Sequence, residues 1–316
     1  MSLQRFILRR LILTVPILFG VSIITFALVH LSPSDPMELI MGANPDLPEG
    51  AIEEARRRHG FDRPVYIQYI DWVTSVLVGD FGIEYSTQRD VSGLIWRRLP
   101  PTIALGIFGW VFAIVIAVPT GIYAAVRKDK LGDHVSRVAA LSGISIPNFW
   151  LGLLLILFGA LVLGWWSVTA PREPLYHPEM LWYLILPGIT IGTASSAIMM
   201  RIMRSSMSEE MNKDYVTTAR AKGLPERTVV LKHVLRNSLI SVVTVAAFLT
   251  AGILAGSVVV EVVFNWPGLG LELVEAVIAR EINIILVITL FTGVALVLAN
   301  LLADITYAIL DPRIRY

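Results

Sequence analysis

The sequence predicts an all-α integral membrane protein, six transmembrane helices with a helical extracytoplasmic loop domain. Three observations carry that reading. Hydrophobic residues fill 55% and charged residues 16% of the 316 positions, with a mean hydropathy of +0.68, whereas soluble domains carry about 25% charged residues. Six apolar runs recur at lengths that fit a bilayer. Between the fourth and fifth lies a polar interval, Asp214 to Asn237, where the chain can meet a soluble partner.

In chain order, Leu11 to Leu31 is an apolar run of 21 residues behind Arg5, Arg9 and Arg10, roughly 32 Å as a helix against a hydrocarbon core of about 30 Å. A signal peptide shares the basic start, but this run is too long and no small-x-small cleavage site follows Leu31. Residues 1–31 are therefore expected to be a cytoplasmic N-terminus and an uncleaved first span. Residues 32–100 form a loop that contains Arg56, Arg57 and Arg58, yet loops beyond about 60 residues escape the positive-inside rule, so it is expected outside. Helix formers from Pro48 to His59 and aromatics from Tyr66 to Trp72 predict a small helical cap near the membrane interface.

The core domain, 101–310, holds the remaining spans: Ile103 to Val126, Val138 to Leu163, Met180 to Ile202, Leu239 to Val263 and Ile284 to Leu310. Six spans put both termini on one side. Arg127, Lys128, Lys130 and Arg137 flank the second connection and eight basic residues lie between Arg201 and Arg236, against Arg172 and Arg280 in the third and fifth connections. That asymmetry places both ends, including the tail 311–316, in the cytoplasm.

The polar interval, within the loop 204–237, has a helical logic of its own. Asp214 is suited to cap a helix from Tyr215 to Lys222, Gly223 to end it in the left-handed conformation, and Pro225 to enter the first turn of the next helix. A rod of about 12 Å is not stable alone in water, so it must pack on the bundle. In the following helix Val230, Leu231, Val234 and Leu235 share a face that can do so, with Glu226, Arg227, Lys232 and Arg236 elsewhere.

The spacing of Ala219, Gly223 and His233-Val234-Leu235 resembles the cytoplasmic signature of bacterial and archaeal ABC importer permeases, Glu-Ala-Ala, three residues, Gly, nine residues, Ile-x-Leu-Pro. Thr217 and Thr218 replace its Glu and first Ala, His233 its Ile and Arg236 its Pro. The string Asp-Tyr-Val-x-Thr-Ala-Arg-Ala-Lys-Gly followed by Lys-His-x-x-Arg-Asn is similar to the dipeptide, oligopeptide and nickel branch, as are Ser34-Asp35-Pro36, Arg63-Pro64-Val65, Gly79-Asp80-Phe81-Gly82, Phe264 to Gly270 and Asp311 to Arg315. Each short string alone also reads as an ordinary turn. The resemblance implies the type I importer architecture and a coupling helix docked on an ATPase, made here by Tyr215, Thr218, Ala219, Arg220, Ala221, Lys222, Gly223, Leu224 and Pro225, with His233 behind it. It also implies a homologous second permease, two ATPase subunits that bind ATP and Mg, an extracytoplasmic solute-binding protein, and residence in the inner membrane of a bacterium or archaeon.

Polar residues inside the spans are candidates for the substrate pathway: Ser145, Asn148, Thr193, Ser196, Ser257, Glu261 and Asn300. Ser145 and Asn148 flank Pro147, which predicts a kink in the third span, either lining a pathway or merely bending it. Gly188/Gly192 and Gly252/Gly256 have the spacing of close helix packing, or of the general abundance of glycine in membrane helices. Asn300 and Asp304 share a face near the inner end of the last span, where Asp304 could equally reach the interface.

No GxxxxGK[ST] loop is present, so the chain itself has no site for ATP and no cofactor is expected in it. His30, His59, His134, His177 and His233 form no HExxH, Gly268-x-Gly270 lacks the third glycine of a dinucleotide loop, no GxSxG occurs, and there is no cysteine, so no enzyme and no metal site are expected. A net charge of +1 argues neither for nor against nucleic acid, and the family uses none. The competing class is a secondary transporter or channel, which predicts paired Asp or Glu at the midplane, where this chain has mainly Thr, Ser and Asn; a receptor or anchor leaves the basic helix pair without a purpose. Within the family, di- or oligopeptides are the expected solute, by frequency only, with nickel or oligosaccharides as the alternatives.

Overall fold

The computed structural model describes residues 3–30, 50–58, 60–164 and 177–310. Ser34-Asp35-Pro36, Pro48, His59, Arg172 and the tail 311–316 lie outside them. Among the described residues the structure is helical, with one isolated bridge between Ile83 and Asp90. The end of the bundle that carries the polar interval is termed inner and the opposite end outer.

Helix α1 (Leu3–His30) packs along the last helix, α13 (Ile282–Leu310), and Arg10 pairs with Asp304 at 2.8 Å near their inner ends. Asp304 thus spends its charge on a neighbouring helix. The outer cap is formed by α2 (Ala51–Arg58) and α3 (Val65–Leu77). The aromatics of α3 turn toward α1 rather than all facing lipid: Phe26 meets Tyr69 and Trp72 with ring centroids 5.5 and 5.6 Å away, and the Tyr69 hydroxyl lies 2.7 Å from Ser22 Oγ.

Helix α4 (Val91–Val126) begins well before the apolar run at Ile103, because Asp90 caps it by accepting from the Ser92 and Gly93 amides. At 36 residues it reaches roughly 54 Å, longer than the hydrocarbon core, so its first turns stand clear of it. The expected third span is not one kinked helix. It is α5 (Leu131–Ser145) and α6 (Asn148–Ile156, continued by a π turn over Leu157–Val162), bent by 102°. Pro147 has no N–H and drives Ile146 into extended backbone (φ −81°, ψ 121°), so the helix stops instead of bending. Among the described residues, five helices are long and apolar enough to cross a membrane, and the bent pair makes a sixth span if counted as one.

The core forms where α4 meets α8 (Ile185–Glu210), which follows the short α7 (Pro178–Tyr183). Small residues face each other here. A Cβ on Gly192 would stand 2.5 Å from the Gly109 carbonyl oxygen, one on Gly188 would strike the Phe108 ring, and one on Gly121 would come within 2.6 Å of Met203. Gly188/Gly192 is therefore a packing seam, as its spacing allows. Gly252 has nothing within 4 Å.

Helix α8 continues to Glu210, past the expected end at Ile202, so the inner loop starts as a helical extension of the span. It leads to α9 (Asp214–Ala221), α10 (Glu226–Thr228), a π turn over Val229–Val234, and α11 (Leu235–Val263). Helix α12 (Leu269–Ala279) then turns at the outer face into α13.

Candidate functional site

The inner site is the α9–α10 bend. Lys213 occupies the cap position in extended backbone, so Asp214 is the first helical residue rather than the cap. An acidic residue is favourable at either place, which is why sequence reading misses by one. At the other end the Leu224 amide donates to the Ala219 carbonyl and the Gly223 amide to the Arg220 carbonyl, closing the helix with Gly223 at φ +76°. Pro225 is likewise one step out: it caps α10 from extended backbone instead of entering its first turn.

Val216 and Ala219 are buried in one apolar cluster with Met203, Met207, Val229, Val230 and Val234, while Thr218, Arg220, Ala221, Lys222, Gly223, Leu224 and Pro225 are exposed. One face of the rod therefore belongs to the bundle and the other is open. The buried face after the bend differs from the expected stripe. Val229 is buried and Leu231 is 45% exposed, because the π turn places residues five apart on one side and so pairs Val229 with Val234.

Polar contacts tie this element to both flanking spans. The Tyr215 hydroxyl donates to Glu210 Oε2 at the end of α8 (2.6 Å) and accepts from Asn237 Nδ2 on α11 (3.1 Å). Burial and the Glu210 carboxylate hold the Tyr215 phenol above its usual range, so it stays a donor. Arg220 straddles the bend with two bonds to Glu226, at 2.7 and 3.1 Å. Half-buried His233 has its carbonyl within 3.4 Å of Asn237 Nδ2, a structural place. Asp133, fully buried, accepts from Arg204 Nε and Nη2 at 2.5 and 2.7 Å and from the Asp129 amide at 3.0 Å, locking the preceding inner loop to α8. Sequence reading missed Asp133, because among so many basic neighbours its only signal was a carboxylate in the first turn of a helix.

The seven pathway candidates do not gather at one place. Ser145 bonds within its helix to the Leu141 carbonyl, and with Asn148 flanks the α5–α6 corner. Thr193 and Ser196 also bond within their own helix, to the carbonyls of Ile189 and Thr193, and Thr193 faces Gly143 of α5. Asn300 lines a small inner pocket of about 160 Å³ with Arg10 and Asp304. An apolar groove of about 580 Å³ between α4, α11 and α13, and an outer cleft of about 380 Å³ under the cap, include none of the seven.

Ser257 and Glu261 are buried at the outer end of α11. The Glu261 carboxylate accepts from the Gly270 and Leu271 amides at 2.6 and 3.2 Å and is bonded by Ser257 and Thr102. It caps α12, whose cap residue, Gly268, has no side chain to offer; a Cβ there would strike Glu261 and Thr102. The glycine, proline and aromatic residues from Phe264 to Gly268 form the bend between α11 and α12 at the outer mouth. Trp266 donates to the Pro101 carbonyl at 2.9 Å and stacks on Tyr183, whose hydroxyl donates to the Phe264 carbonyl. Arg98 closes on Glu272 at 2.7 Å, and burial pushes the Glu272 carboxyl up although Arg98 opposes the shift.

Comparison with known proteins agrees with the helical membrane fold. The sequence model of the binding-protein-dependent transport system inner membrane component matches residues 117–316, and that of the N-terminal part of such membrane components matches residues 3–106. The oligopeptide transport system permease protein AppB of Bacillus subtilis is 38% identical over 316 residues, covering 98% of this chain and 99% of AppB. The glutathione transport system permease protein GsiC of Escherichia coli K12 is 40% identical over 311 residues, with the same two coverages of 98% and 99%. Among solved structures, the methionine ABC transporter MetNI shares the fold at a TM-score of 0.53 and 18% identity, covering 70% of this chain and 98% of its own. An amino acid ABC transporter does so at 0.51 and 16%, covering 69% and 94%. A chain matched over its length by these profiles and relatives, with this helical bundle, belongs to the inner membrane components of binding-protein-dependent transport systems and is a permease subunit of an ABC importer in the peptide/nickel family.

Proposed function

We propose that this permease subunit moves di- or oligopeptides as half of a heterodimer with a related permease, driven by two separate ATPase subunits and supplied by an extracytoplasmic solute-binding protein. The observation that carries the reading is α9, a short rod held by the bundle on one face and open on the other, with Arg220, Lys222, Leu224 and Pro225 on the open side. Closure of the ATPases on ATP and Mg moves α9 as a rigid body. Tyr215 passes the motion to α8 through Glu210 and to α11 through Asn237. Both termini lie in the cytoplasm, and the inner end is the cytoplasmic end.

Peptide is preferred over nickel or an oligosaccharide because the similar AppB and GsiC are named for oligopeptides and for glutathione, itself a tripeptide. Within this reading Ser145, Asn148 and Thr193 are the pathway candidates to keep, because they stand around the α5–α6 corner, whereas Ser196, Ser257 and Glu261 are buried among packed helices and Asn300 lies apart, in the inner pocket beside Arg10 and Asp304. The test is purification of the tagged chain from native membranes in mild detergent, with mass spectrometry of what remains bound. A second permease and chains with phosphate loops are expected. A chain that comes alone and moves solute in liposomes without ATP would overturn the assignment in favour of a secondary transporter.

A further inference from the structure

Glu281 stands at the outer corner between α12 and α13, buried to 3% exposure. Its two carboxylate oxygens each accept one backbone amide from the loop before α4: Oε2 from Tyr85 at 2.7 Å and Oε1 from Ser86 at 2.8 Å, across 196 and 195 residues of sequence. Asn283 adds a bond from Nδ2 to the Ile83 carbonyl at 2.8 Å and accepts from the Tyr85 hydroxyl at 3.4 Å. Burial pushes the Tyr85 phenol up to about 12, aided by the Glu281 charge, so it remains a donor there. The loop is itself a closed hairpin, with the Glu84 amide on the Arg89 carbonyl and the Val91 amide on the Gly82 carbonyl, and it runs directly into α4.

At the other end of α12, Glu261 binds the first amides of the helix and so fixes it to α11. Two buried carboxylates thus bracket α12, one joining it to α11 and the other joining the α12–α13 corner to the hairpin at the outer start of α4. Helix α11 in turn runs inward to the π turn and α9. Charge-assisted bonds from one carboxylate to two backbone donors are strong and directional, and the loop offers those amides few alternatives once they are covered.

We propose that Glu281 is a positioning residue that makes the outer hairpin 82–91 and the α12–α13 corner move as one body when the ATPases act at the inner end. The proposal rests on the coupled importer described above. It is tested in the purified complex with its ATPase subunits, in lipid nanodiscs, with spin labels on Arg89→Cys and Ile278→Cys; this chain has no native cysteine to compete. In the otherwise wild-type chain the Arg89–Ile278 distance should be the same without nucleotide and with Mg-ATP and vanadate. In Glu281→Ala it should lengthen and broaden with Mg-ATP and vanadate while ATP hydrolysis persists. Glu281→Gln, which keeps one acceptor oxygen, should fall between the two. A distance that changes with nucleotide in the wild type, a Glu281→Ala pair that stays fixed, or loss of hydrolysis together with the shift would overturn the proposal. Absence of hydrolysis from the wild-type complex would overturn the importer assembly beneath it.

Discussion

Single glycines decide how close the helices come and where the inner rod ends, and each does so for a different reason. At Gly192 the obstacle is the Gly109 carbonyl oxygen, 2.5 Å from where a Cβ would sit, and backbone does not give way as a side chain can. Gly192→Ala should destabilise the purified chain by about 1–3 kcal/mol, whereas Gly252→Ala, with nothing within 4 Å, should be neutral or gain up to about 1 kcal/mol from helix propensity. Thermal unfolding of the two variants in one detergent checks the contrast, and equal midpoints would contradict the seam. Gly223 also has free space around it, so its constraint is its φ of +76° alone. Gly223→Val should lose uptake relative to ATP hydrolysis while remaining in the membrane, and Gly223→Asn, which tolerates the left-handed region, should retain most of it. The sequence made Gly223 legible because a helix end has a local signature. It left Gly188/Gly192 and Gly252/Gly256 equivalent, since only the fold shows that Gly188 and Gly192 face Phe108 and Gly109 while Gly252 faces open space.

Among elements, the inner ends of α5 and α8 are joined by Asp133 and Arg204, a pair no local pattern announces. Arg204→Met leaves a buried carboxylate without its bidentate partner, with Arg137 at 3.7 Å and the Asp129 amide left to hold it, and should cost about 1–3 kcal/mol. Asp133→Leu added to it removes the stranded charge and should restore much of the loss. Chemical denaturation of the two variants checks the sign, and a double variant no better than the single one would show that the pair does not act as a unit. The α5–α6 corner makes the complementary point. Pro147 was visible as a disturbance, but whether a proline kinks a helix or ends it depends on what accepts the two halves, and here the 102° bend sends them apart.

For the whole molecule, the decisive property is sidedness. The inner site and the outer hairpin lie at opposite ends of the bundle, and a chain without cysteine is a clean background for testing which side each faces. In intact cells a membrane-impermeant maleimide should label Arg89→Cys, and should label Lys222→Cys only after the inner membrane is opened. Labelling of Lys222→Cys from outside would invert the topology and remove α9 from reach of any cytoplasmic ATPase.

The sequence by itself determined the class, the number of apolar runs and the position of the inner rod, because these rest on local quantities: hydropathy over a bilayer's thickness, basic residues in short loops, and the turn chemistry of Gly223 and Pro225. Tertiary structure alone decided which glycines form the seam and that Glu261 and Glu281 each accept from a pair of backbone amides. It also decided that the run from Val138 to Leu163 is two helices. Those outcomes depend on which distant segment lies opposite, as Tyr85 and Ser86 lie opposite Glu281, and a buried carboxylate must find its donors wherever the packing brings them.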